Sequence, residues 1–179
     1  MKFLVFLLCL STSIQLSAQS KRLSVEHFNS AIEAYNKKDY QTAVNEYSLA
    51  IEYDPKYAKA FYNRGTSLLN LKKYSAAIKD FKKSITLDPE MKKANFYLGY
   101  AFQAGGDDKQ ALLYFRRSIA SLPDYELAYV YRAGILMEQK KYARAISDYS
   151  TAISLKEDQY KWHLNSCLLY TSPSPRDRG

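Results

Sequence analysis

Cysteine is nearly absent from this chain. Its two copies, Cys9 and Cys167, stand close to the ends. Both fall in segments that the sequence sets apart from the rest. The remainder therefore holds no disulfide, no thiolate nucleophile and no cysteine-bound metal. Histidine is as scarce: His27 and His163 lie at opposite ends and form no His-x-x-x-His pair. There is no glycine-rich phosphate loop and no Gly-x-Ser-x-Gly. Gly105 and Gly106 form a lone turn pair, and Asp107 and Asp108 beside them lack the further oxygen ligands a metal needs. Long apolar runs are missing too, since the run at residues 3–10 is too short to span a bilayer. Neither a catalytic constellation nor a metal or cofactor site is expected.

What the chain has instead is a period. Pro55, Pro89 and Pro123 are spaced by 34 residues, and so are Ala43, Ala77, Ala111 and Ala145. A fixed period of this length means one supersecondary unit repeated along the chain. The copies run 24–57, 58–91, 92–125 and 126–159. Position 8 is always small (Ala31, Gly65, Gly99, Ala133) and position 20 is always alanine. Position 24 is aromatic (Tyr47, Phe81, Phe115, Tyr149), and position 28 is Ile51, Ile85, Ile119 or Ile153. Positions 20, 24, 27 and 28 fall on one face of a helix. Positions 8 and 11 fall on an earlier one. Each copy is therefore expected to be two helices joined by a short polar turn. Proline at position 32 ends the second helix. The small residues let the two helices approach closely. The aromatic and the isoleucine are expected to fill the space between one copy and the next, each burial being worth roughly 1.5–3 kcal/mol.

The best single copy reads Ala58, Lys59, Ala60, Phe61, Tyr62, Asn63, Arg64 and Gly65, then Tyr74, Ala77, Ile78, Phe81, Ile85, Asp88 and Pro89. It resembles the tetratricopeptide repeat (TPR). The resemblance covers residues 24–159. It departs from the pattern at Ser30, at Asp108 in place of the turn tyrosine, and at Glu157 in place of proline. It implies an all-α TPR solenoid, a right-handed superhelix of antiparallel helix pairs. Four full repeats and the start of a fifth at 160–166 are expected, with Trp162 packed on the fourth.

The two ends are read differently. Lys2, the apolar run 3–10 and Leu16, Ser17 and Ala18 have the layout of a secretory signal peptide at 1–18. Cleavage after Ala18 leaves Gln19 as the new N-terminus. An uncleaved anchor is the alternative. Lipid attachment at Cys9 is disfavoured because the bulky Leu8 precedes it. Residues 167–179 break the period mid-helix. The run from Cys167 to Asp177 resembles one reading frame of a transposase-type sequencing adaptor and is expected to be non-native. A natural Pro/Ser tail is the competing reading. Without both ends, 23 basic and 17 acidic residues remain, a net charge of about +6.

That charge collects at Lys37, Lys38, Lys72, Lys73, Lys109, Lys140 and Lys141, in or beside the turns. These are expected to be solvated, with weak contact to an anionic surface as the alternative. Nucleic acid is not expected as a partner, because no basic patch is interleaved with stacking aromatics on a nucleic-acid-reading fold.

In the TPR family the first helix of each repeat lines the concave face. Carried over by position, the resemblance implies a partner-binding groove containing Phe28, Lys59, Tyr62, Asn63, Lys93, Tyr97, Tyr100 and Tyr131. Tyrosine there gives contact area at low entropic cost. The competing reading has some of these rings packing only between repeats. The family's carboxylate clamp for chaperone C-termini is not expected. Of its five positions only Asn63 and Lys93 match, at Phe28, Ile32, Asn63, Lys93 and Tyr97. The expected function is a non-enzymatic scaffold for an extended peptide or protein partner, exported to a bacterial periplasm or cell envelope. Two alternatives stay open. One is a sensor or docking segment of a longer protein with an enzymatic, membrane or wall-binding domain. The other is an array that self-associates through its ends. The sequence leaves the oligomeric state open.

Overall fold

In the computed structural model the backbone of residues 2–156 is described. Side chains are described from residue 15 onward, without residue 16. Among the described residues eight helices run in order: α1 (Lys2–Asn36), α2 (Tyr40–Tyr53), α3 (Ala58–Asn70), α4 (Tyr74–Leu87), α5 (Lys93–Ala104), α6 (Asp108–Ser121), α7 (Glu126–Glu138) and α8 (Tyr142–Leu155). No strand occurs among the described residues. The chain divides into two compact units, Met1–Met91 with α1–α4 and Lys92–Gly179 with α5–α8. Each described helix pair corresponds to one repeat of the sequence. The fifth repeat, Trp162, Cys167 and the whole tail lie outside the described residues.

The helices pair where the small residues stand. Ala31, Ala43, Ala77, Ala111, Ala133 and Ala145 are completely buried. Added Cβ atoms on Gly65 and Gly99 would lie 2.9 Å from the Phe81 and Phe115 rings. The position-24 ring thus sits on the small residue at position 8 of its own repeat. The ring also meets the next repeat, as expected: Phe115 lies 6.0 Å from Tyr131, and Tyr47 packs with Ala60. The isoleucines at position 28 are only half-buried. Their neighbours at position 27, Ala50, Ser84, Ser118 and Ala152, are fully buried. The closest seam passes beside position 27, where an isoleucine has no room.

The turns repeat as strictly as the core. In every repeat, residue 15 has a positive φ: Lys38 (63°), Lys72 (57°), Gly106 (86°) and Lys140 (58°). The amide of residue 16 donates to the carbonyl of residue 11, as in Asp39→Ala34 (2.9 Å), Lys73→Leu68 (2.8 Å), Asp107→Phe102 (2.9 Å) and Lys141→Leu136 (2.8 Å). The amide of residue 15 donates to residue 12. This is the Schellman closure, which satisfies carbonyls left over at a helix end. Residue 16 then starts the second helix. Asp39 Oδ1 accepts from the Thr42 amide at 3.1 Å, and Asp107 Oδ1 from the Gln110 amide at 3.0 Å. Thr42 bonding to Asp39, chiefly through its amide, holds that carboxyl below its ordinary pKa. Lys73 and Lys141 occupy the same position with no side-chain cap.

The second helices all stop at position 30: Tyr53, Leu87, Ser121 and Leu155. Residues Asp54, Asp88 and Leu122 precede proline and leave the helical region, as sterics require: the first two are extended, and Leu122 has φ −139° and ψ 80°. Lys156 has φ −148° and ψ 79° without a following proline. Glu157 stands where the other repeats have proline, yet α8 ends in register with the others.

One boundary differs from the sequence reading. Periodicity starts the first repeat at residue 24, but α1 continues unbroken from Lys2 through the expected cleavage point. Ser20 Oγ donates to the Tyr53 carbonyl and Ser24 Oγ to the Ala50 carbonyl, both at 2.7 Å. These hydroxyls tie α1 to the last turn of α2. Both lie after Ala18, so cleavage there leaves them in place.

Left-handed backbone costs a lysine roughly 1–2 kcal/mol and a glycine almost nothing, while glycine loses somewhat more entropy on folding. Lys72→Gly should therefore raise stability in urea melts by about 0.5–1 kcal/mol. Gly106→Ala should lower it by a similar amount. A loss in the first variant and a gain in the second would contradict the turn geometry.

Candidate functional site

The first helices carry the residues expected to bind. In the first unit, α3 presents Lys59, which is exposed, and Tyr62 and Asn63, which are half-buried. The Tyr62 ring meets Phe81 edge-on at 5.8 Å. Phe28 does not belong to such a face. It is 8% exposed, packed 4.7 Å from Tyr57 and 5.5 Å from Tyr47. Its expected place in the groove is therefore corrected: the ring is core. Position 5 looks inward here because the α1 and α2 helices close over an aromatic cluster with Tyr57 from the following loop.

Asn63 has a structural task. Its side chain hydrogen-bonds the Tyr47 hydroxyl. Tyr47 is almost wholly buried, and that burial raises its pKa to about 12 against the opposing effect of Asn63. Near the edge of this unit, the Asn70 amide donates to the Tyr35 hydroxyl at 3.3 Å. Tyr35 stands edge-on to Tyr40 at 5.3 Å.

In the second unit the aromatic residues are denser. Phe96 is buried at the centre. Around it are Tyr125 at 5.0 Å, Tyr97 at 5.2 Å, Tyr131 at 5.4 Å and Phe115 at 5.8 Å. Tyr100 meets Tyr131 edge-on at 5.3 Å. Tyr97, Tyr100 and Tyr131 are half-buried: one side of each ring joins the cluster and the rest is open to solvent. Exposed Lys93 holds its Nζ 5.7 Å above the Tyr125 ring. Gln103, on the same helix as Tyr100, has its Oε1 buried with no hydrogen-bond partner among the described residues. The second unit thus brings Lys93, Tyr97, Tyr100 and Tyr131 around one aromatic centre, while the first places Lys59, Tyr62 and Asn63 along α3.

Two ion pairs escaped the sequence reading. Arg64 binds Asp80 through Nε–Oδ2 at 2.7 Å and Nη2–Oδ1 at 2.8 Å. Arg132 binds Asp148 in the same fork at 2.7 and 2.6 Å. Both carboxylates are buried. Such forked pairs are geometrically demanding. The signal was available: arginine at position 7 and aspartate at position 23 recur together in the second and fourth repeats. In the first repeat, His27 Nδ1 lies 2.8 Å from Glu46 Oε2, and the His27 ring stacks on Tyr53 at 5.5 Å. His163 lies outside the described residues. The turn lysines are exposed, as expected of solvated residues.

The raised Tyr47 pKa sets an alkaline limit. Folding favours its neutral form, so this contribution is complete below about pH 10. It is lost as pH rises through the folded value of about 12. Two pKa units correspond to on the order of 3 kcal/mol. Tyr47→Phe should be less stable at neutral pH, for want of the Asn63 bond, but should lose less stability from pH 10 to 12. Parallel losses in both proteins, followed by urea melts, would exclude Tyr47 as a source.

The fold and these faces can now be set beside known proteins. One tetratricopeptide repeat family model matches residues 58–91 and a second matches 98–160, together more than half of the 179 residues. The crystal structure of a MamA protein is similar, with a TM-score of 0.71 at 20% identity over 83% of this chain and 87% of that one. The Arabidopsis OM64 TPR domain gives a TM-score of 0.59 at 27% identity, over 61% of this chain and 90% of that one. YrrB, described as a TPR protein with an unusual peptide-binding site, gives 0.69 at 19% identity over 82% and 77%. No curated protein matches the sequence. With the repeats matched by sequence and the helix pairs matched in space, the chain belongs to the tetratricopeptide repeat family.

Proposed function

We propose that the protein is a non-enzymatic interaction scaffold, exported to a bacterial periplasm or envelope, that binds an extended peptide or protein along its first helices. The observation that carries this reading is the half-buried state of Tyr62, Tyr97, Tyr100 and Tyr131 beside exposed Lys59 and Lys93. Each ring is fixed on one side by its neighbours, so little side-chain freedom is left to lose on binding. Each keeps an open side that can bury more apolar area. The lysines favour a ligand carrying acidic residues. YrrB, a relative in fold, supports the reading as a TPR protein with a peptide-binding site.

Mutation of the rings tests the binding face. Tyr62→Ala and Tyr97→Ala should each weaken a partner captured with the wild-type chain by about 1–2 kcal/mol, the range of ordinary hot spots. Lys59→Ala and Lys93→Ala should cost less and matter little in high salt. Second-helix changes such as Lys82→Ala should leave affinity unchanged. Loss of binding on the second helices with none at the tyrosines would place the partner elsewhere.

Export rests on Lys2, the apolar run 3–10 and the small Ala18. Among the described residues no helix is long and apolar enough to cross a membrane. Protein recovered from a secreting bacterial host should begin at Gln19 on N-terminal sequencing. Intact chain beginning at Met1 and retained in alkali-washed membranes would overturn the cleaved-signal proposal.

A further inference from the structure

A cleft of the same build occurs in each unit among the described residues. It lies between the second helix of one repeat and both helices of the next. In the first unit Val44, Ser48, Arg64, Leu68 and Ala76 line it, together with Lys79 and Asp80, the partner of Arg64. In the second, Leu112, Arg116, Arg132, Leu136 and Arg144 hold the corresponding positions. Three of these five pairs keep their character: an aliphatic residue at position 21, arginine at 7 and leucine at 11. The other two change from small to cationic, Ser48 to Arg116 and Ala76 to Arg144. Lys109 and Lys141 add to the second cleft, whose volume is about 260 Å³.

The fold does not require the two arginines, because the first unit builds the same cleft with Ser48 and Ala76 in their places, while it keeps lysine at Lys73, the position of Lys141. There the Ser48 hydroxyl lies 3.0 Å from Arg64 Nη1 and satisfies it. In the second unit a cation replaces that hydroxyl. Arg132 is paired with Asp148. Lys141 Nζ donates to the neutral Gln139 amide at 2.8 Å. Lys109, Arg116 and Arg144 form no ion pair among the described residues and are exposed. Cations gathered around one concavity repel one another and raise its potential for anions. Guanidinium groups suit carboxylates in particular, through paired hydrogen bonds. The half-buried Leu112 and Leu113 meanwhile give the cleft an apolar surface, over the buried Leu136.

We infer that the cleft between α6, α7 and α8 is a second binding site, for an acidic peptide segment that seats one large apolar side chain on the leucines and its flanking carboxylates on Arg116, Arg144 and the two lysines. Charge complementarity fixes the sign of the ligand, and the recessed apolar surface fixes its form. A flat anionic membrane reaches the rim charges but not the leucines. This site is separate from the tyrosine face of the first helices.

Fluorescence anisotropy of the full chain with a labelled synthetic peptide of alternating glutamate and leucine tests the assignment. The peptide should bind, and its Gln-for-Glu counterpart should bind at least tenfold more weakly. Unlabelled polyglutamate and phosphatidylserine-containing vesicles should be poor competitors. The double variant Arg116→Glu/Arg144→Glu should lose at least tenfold in affinity. Lys79→Glu, in the corresponding cleft of the first unit, should leave affinity within twofold. Circular dichroism melts confirm folding, and Lys109→Glu/Lys141→Glu serves as a second pair should the first misfold. Wild-type affinity in both double variants overturns the site. Equal competition by polyglutamate or by vesicles overturns the ligand class.

Discussion

An aromatic ring on each second helix must lie against a residue with almost no side chain on the first. Phe81 on Gly65 and Phe115 on Gly99 show how little slack exists, since even a methyl group would stand 2.9 Å from the ring. Tyr47 and Tyr149 meet alanine instead, at Ala31 and Ala133. This contact fixes the distance between the helices of a pair. The buried alanines at position 20 and the small residues at 27 follow from it, because the helices could not come so close with anything larger there. Where the ring carries a hydroxyl, a further constraint appears. Tyr47 is held by Asn63 from the next repeat, so a polar group is buried and must stay satisfied.

The turns answer to the same spacing. A pair of closely packed antiparallel helices needs a tight reversal, and the Schellman closure supplies one with a single left-handed residue. Only the third repeat gives that residue as glycine. Lysine is accepted in the others, which shows that packing on both sides of the turn dictates the backbone and overrides local preference. The caps vary likewise. Asp39 and Asp107 cap their helices while Lys73 and Lys141 leave theirs uncapped, yet all four second helices start at the same position.

Much of this was legible in the sequence because steric rules act at fixed positions. Helix pairs, small residues and the stop at position 30 all follow from the period. Three things were less legible. The resemblance implies a binding face for Phe28 because first helices line the groove in the family, but burial depends on what lies above a residue, and there Tyr47 and Tyr57 close over the ring. The continuation of α1 back to Lys2 carries no periodic mark. The forked Arg64–Asp80 and Arg132–Asp148 pairs recur at every second repeat, so a search at one period overlooks them.

That alternation bears on function. When a backbone is fixed by a few small and aromatic positions, residues outside them are free to differ between repeats. Differences at matching positions then report on something other than folding. The first-helix tyrosines are half-committed to the core and half-open, so they belong partly to both categories. The clefts separate the two cleanly. Their shared arginine, leucine and aliphatic residues belong to the scaffold, since both units keep them. Arg116 and Arg144 belong to the second cleft alone, where each adds charge to an already basic concavity. Such a gathering raises the local potential for anions. The repeat thereby serves as its own control, separating what the fold demands from what a ligand would.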